Sequence, residues 1–88
     1  MLEAIYCYDR ASVRFAVYEG GVRIVAEISE DALRDVFGAR GGSDSLLEAC
    51  GQHAPLIGAR ALEKHRASAG RPILLVTADF SVEHSPPA

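Results

Sequence analysis

The chain has 88 residues, about half of them apolar, and a formal net charge of −3. That length bounds it to one domain, the apolar share excludes a disordered chain, and no apolar run approaches the ~20 residues that span a bilayer. Two cysteines, Cys7 and Cys50, are too few for a disulfide framework, so a cytoplasmic location is expected.

The opening Met1-Leu2-Glu3-Ala4 has neither a basic n-region nor a long apolar h-region, and it does not read as a secretory signal. Ile5-Tyr6-Cys7-Tyr8 is short, β-prone and apolar, and offers an extra edge strand. Residues 12–28 read as a hairpin around Gly20-Gly21, a pair that supplies the positive φ angles of a tight turn. With that loop Val17 faces Ile24, Phe15 faces Ala26 and Val13 faces Ile28, a wholly apolar face. Arg14 opposite Glu27 and Tyr18 opposite Arg23 lie on the other. A shift of one residue would set apolar against polar along the whole ladder.

Ser29 is expected to cap a helix that begins Glu30-Asp31, buries Leu33, Val36 and Phe37, and ends at Gly38. After the loop Ala39-Arg40-Gly41-Gly42, Ser43 or Asp44 is expected to cap a second helix running to about Ala69. Leu46, Leu47, Cys50, Ala54, Ile57 and Ala61 recur on one helical face. Unbroken, that helix would be ~39 Å long at ~1.5 Å per residue, against strands of ~20–23 Å. Pro55, which removes a hydrogen bond and clashes with the carbonyl of Gly51, resolves the mismatch through a kink or break near residues 52–55. Gly70 stops the helix and Pro72-Ile73-Leu74-Leu75-Val76-Thr77 follows. This strand is apolar on both faces and therefore expected to be central and covered. The tail from residue 82 onward is expected to be disordered.

The expected fold is α+β, with residues 1–81 as one domain: an antiparallel sheet of three or four strands with two helices on one face, in the order β-β-α-α-β. The other face would show Ala16, Val25, Leu74 and Val76, and a second copy of the chain is expected to cover it as a homodimer.

The hairpin opening Val13-Arg14-Phe15, the run Ile28-Ser29-Glu30-Asp31-Ala32-Leu33, the helix from Leu46 to Ala69 and the ending Leu75-Val76-Thr77-Ala78-Asp79-Phe80 resemble the bacterial domain of unknown function family 1488. The resemblance covers about residues 13–80, and its most specific elements are the acidic-aliphatic helix start and the closing Thr77-x-Asp79-Phe80. Pro55 departs from the family, whose helices look continuous there. The resemblance implies a small cytoplasmic bacterial α+β protein and carries over no activity and no functional residues.

Charge is unevenly spread. The segment from Gly58 to Pro72 carries Arg60, Lys64, Arg66 and Arg71 against Glu63 alone. These four cations are the candidate binding residues for a phosphate-bearing partner, although cations near a helix C-terminus also serve its dipole and free carbonyls. Cys50 and His53 have helical metal-ligand spacing, but Cys50 lies mid-stripe, where a thiol behaves as a small hydrophobe. His65 reads as a boundary histidine. Asp79 reads as a turn acceptor with Phe80 anchoring the chain. No catalytic constellation, metal site or cofactor is indicated. The expected function is a non-enzymatic interaction or regulatory module, with a nucleic-acid-associated regulator using the basic helix end as the alternative.

Overall fold

The computed structural model describes residues 4–68 and 72–80, and the fold is α+β. A four-stranded sheet contains β1 (Ala4–Cys7), β2 (Ser12–Glu19), β3 (Val22–Ser29) and β4 (Ile73–Leu75). Three helices, α1 (Glu30–Phe37), α2 (Ser43–Gln52) and α3 (Ala54–Ser68), lie between β3 and β4 in the chain. Short 3₁₀ turns occupy Tyr8–Arg10 and Thr77–Phe80.

The hairpin adopts the register dictated by its alternation. Val17 pairs with Ile24, Phe15 with Ala26 and Val13 with Ile28, and Gly20 and Gly21 take φ of 59° and 81°. β1 adds antiparallel to β2, with Ile5 opposite Arg14 and Tyr6 opposite Val13, so the N-terminal segment is indeed a strand. Ser29 caps α1 by accepting from the Ala32 amide at 3.0 Å. Gly38, at φ 76°, closes it, the Gly38 and Ala39 amides donating to the carbonyls of Arg34 and Leu33. The cap of α2 differs from expectation: Gly42 stands at the N-cap, with no side-chain hydrogen bond from Ser43 or Asp44.

The long helix is broken outright, α2 ending at Gln52 and α3 starting at Ala54, with His53 between them. Pro55 therefore sits in the first turn of α3, where its missing N–H leaves no helical bond unmade. The sheet topology differs from the expected antiparallel one. The strand order is β1-β2-β3-β4, and β4 pairs parallel to β3, aligning Ala26 with Ile73 and Ile28 with Leu75. The sheet is thus mixed rather than antiparallel. β4 is also an edge strand of three residues rather than a longer central one, and Leu74 on it is exposed.

One face of the sheet supplies the core. Val13, Phe15, Ile24, Ala26, Ile28, Ile73 and Leu75 pack with Leu33, Leu46, Cys50, Ile57 and Ala61 of the helices. Gly58 sits against β2, where an added Cβ would meet Val17 Cγ1 at 3.4 Å. Phe80 is buried against Phe37, with ring centroids 5.2 Å apart, and Phe37 also stacks on His53 at 4.5 Å. Polar ties close the perimeter. Tyr6 donates to Glu30 at 3.1 Å, and Arg34 bridges Glu30 at 2.7 Å and the Gly41 carbonyl at 2.9 Å. The Arg34 and Tyr6 hydrogen bonds hold Glu30 below the usual carboxylate range.

Two substitutions separate local from tertiary stabilisation. Ile57→Ala, in the sealed core, should cost about 2–5 kcal/mol of unfolding free energy. Ser29→Ala, which removes only the cap, should cost about 1 kcal/mol. Urea denaturation of both variants checks the ranking, and an equal loss would contradict this account of the core.

Candidate interaction surface

Alternation along the strands fixes what the opposite, outward face carries. Registers align Ile5, Arg14, Glu27 and Leu74 as one row across all four strands, with Ala16 and Val25 paired in the next row. Ser12 and Tyr18 extend the same face on β2, as Arg23 does on β3. The 3₁₀ turn and the left-handed Ala11 (φ 48°) that follows it lead from β1 into β2.

The expected dimer-face residues do not all show. Val25 is 43% exposed, Leu74 42% and Val76 36%, but Ala16 is only 3% exposed. Its methyl group forms part of the lining of a small cavity whose other walls include the longer side chains of Ile5, Arg14, Arg23 and Val25. Ile5, 59% exposed, takes the place on this face that Ala16 was expected to fill. Of the nine exposed large apolar side chains among the described residues, Ile5, Tyr18, Val25 and Leu74 belong to the outward side of this one sheet, and Val76 follows directly after β4.

A charged cluster lies among them. Glu27 accepts from Ser12 Oγ at 2.8 Å, Arg10 Nε at 2.9 Å and a terminal nitrogen of Arg14 at 3.3 Å. Burial raises the affinity of the Glu27 carboxylate for a proton, and the bonds from Ser12, Arg10 and Arg14 together outweigh it. The group is held below the usual carboxylate range. The cross-strand pair of Arg14 with Glu27 is legible in the hairpin register, and Ser12 follows from the same alternation. Arg10 joins only because Ala11 turns the chain left-handed, which an alanine does not announce.

The basic helix end is placed differently from a free cationic patch. Arg60 donates to Glu63 at 3.0 Å, and Arg66 bonds Glu19 across to β2. Lys64 donates to the Leu74 carbonyl at 2.7 Å and to Asp79 at 3.0 Å. Asp79 also accepts from the Val76 amide at 2.8 Å, so it serves the turn after β4, as expected, and Lys64 clamps that turn to α3. Arg71 and the tail from residue 82 lie outside the described residues.

Cys50 is fully buried, and burial pushes its thiol up to about 11, a neutral group in an apolar core. Among the described residues no three His, Cys, Asp or Glu side chains converge as a metal site, and no helix is long and apolar enough to cross a membrane. Comparison of the chain with protein-family models, with curated proteins and with solved structures yields no match. The resemblance to family 1488 rests on the motifs given above.

The Glu27 cluster makes a pH prediction. A carboxylate whose proton affinity is lowered by folding stabilises the native state above its unfolded-state value, and the contribution is lost as pH falls through the folded-state value. Glu27→Gln should therefore be less stable than the native chain at neutral pH, and the gap should narrow on acidification. Thermal melts across the acid range measure it. A gap that widens towards low pH would refute the assignment.

Proposed function

We propose that the chain is a non-enzymatic interaction module and that the outward face of its sheet is the surface through which it works. The observation that carries this reading is the placement of exposed Ile5, Tyr18, Val25 and Leu74 on one face, with exposed Val76 just beyond β4, while the helices pack against the other. Apolar side chains left in water on a flat face, mixed with arginine and tyrosine and lacking lysine, have the make-up of the fully buried part of protein interfaces.

A second copy of the chain was the occupant expected from sequence, and the size of the face bears on it. Four strands at ~4.8 Å spacing and about six residues at ~3.3 Å cover roughly 400 Å². Standard stable complexes bury about 800 Å² on each partner. Two copies meeting on this face alone would fall in the weak, transient class. The nucleic-acid alternative draws little support from the basic helix end, where Arg60, Lys64 and Arg66 each hold a carboxylate.

Exposed positions tolerate substitution, so the face can be changed without unfolding the chain. The double variant Val25→Asp with Leu74→Asp should keep the native circular dichroism spectrum and a melting temperature within a few degrees of the native chain. It should lose the associations that the native chain makes, read by sedimentation and by co-purification from the same extract. A control, Leu56→Asp on exposed α3, should retain them. Loss in the control and not in the double variant would move the interaction surface to the helices.

A further inference from the structure

This inference rests on the reading of the outward face as the interaction surface and gives its partner a chemistry. The Glu27 side chain is only 12% exposed, whereas Arg10 and Arg14, which bond it, are 56% and 45% exposed. The carboxylate is sunk beneath its two guanidinium groups, and a molecule arriving from solvent meets arginine. We propose that this face binds an acidic segment of another protein. A carboxylate of that segment engages Arg14 and Arg10, and a neighbouring aliphatic side chain enters the cavity beside them.

Geometry supplies the pairing. The cavity is about 120 Å³ and is lined by Ile5, Arg14, Ala16 and Val25 among others, the size of a single aliphatic side chain. Arg14 and the Ala16–Val25 pair occupy successive rows of the face, two residues or ~7 Å apart along the strand. An extended peptide repeats its side chains on one side at the same interval, so an acid and an aliphatic residue two positions apart reach both features at once.

Preorganisation favours the contact. The bonds to Glu27 use Nε of Arg10 and one terminal nitrogen of Arg14, and each guanidinium has five N–H donors. The arginines are already held in place, which lowers the ordering cost on binding. The exposed donors favour a carboxylate. The groups of the cluster that face solvent are the Arg10 and Arg14 guanidiniums, with Glu27 beneath them and Asp9 beside Arg10. A second copy would bring the same arginines to the contact. A polynucleotide would satisfy the arginines and leave Ile5, Val25 and Leu74 against sugar and phosphate.

The test titrates the full chain into three fluorescent probes at low salt. One is a peptide alternating Glu-Gly-Leu-Gly, one has the same sequence with lysine for glutamate, and one is a single-stranded oligonucleotide. Anisotropy should report binding of the acidic peptide alone, weakening with added salt. Arg14→Gln should reduce the affinity about tenfold or more, the worth of one charge-assisted hydrogen bond, and Val25→Asp should abolish it. Both variants are checked for native circular dichroism. Equal binding of the two peptides, tighter binding of the oligonucleotide, or no binding of the acidic peptide would overturn the proposal. If the acidic peptide fails and the native chain dimerises in a way that Val25→Asp prevents, only the partner is wrong. If Val25→Asp with Leu74→Asp leaves every association intact, the interaction surface itself is refuted.

Discussion

Pro55 has no peptide hydrogen to donate, and the division of the helical layer follows from that. A continuous helix cannot pass through it without an unpaired Gly51 carbonyl and a ring clash, so the helical segment after Gly42 divides at His53. After α3 the chain returns so that β4 lies parallel to β3 at the sheet edge. The short β4 then depends on ties from outside the ladder. Lys64 and Asp79 hold the turn after it, and Phe80 buries itself against Phe37 beyond that turn.

The helices cover one side of the sheet, and the other side has a different energetic character. Its centre is an ionic cluster, which gains its stability from geometry and from several bonds on one carboxylate rather than from any single ion pair. Around it stand aliphatic side chains in water, whose burial by a partner would release free energy in proportion to area. The arrangement puts directional groups in the middle and non-directional ones at the margin. Such a face favours an occupant of matching charge more than it favours tight packing of any kind.

How much was legible in the sequence follows from the range of the forces involved. The hairpin register was readable because both faces of residues 13–28 agree on one alignment, and α1 because Ser29 and Gly38 are local signals with one meaning each. The break was readable because a proline acts on its own turn. The parallel return was not, since it depends on the path of the whole segment between β3 and β4, which no local signal records. The alternation of Ile73, Leu74, Leu75 and Val76 suggests a strand covered on both faces, and it is equally the pattern of an edge strand whose second side stays exposed. Val25, Leu74 and Val76 are exposed, as the alternation implies. Ala16 is not, because longer neighbours cover it, and Ile5 joins the face through the pairing of β1, which a four-residue run does not fix.

The parallel pairing has a consequence in time. β2 and β3 are joined by two glycines and can zip as soon as the turn forms, whereas β3 and β4 must wait until residues 30–72 have been gathered between them. Closing so long a loop costs entropy that only completed helix packing returns, so β4 is expected to dock last in folding and to leave first in partial opening. Native-state hydrogen exchange would then show the amides bonded between β3 and β4 exchanging through a smaller opening than those of the hairpin. Leu74 and Val76 flank that late seam, so a partner seated on the outward face would also bolt shut the last door of the fold.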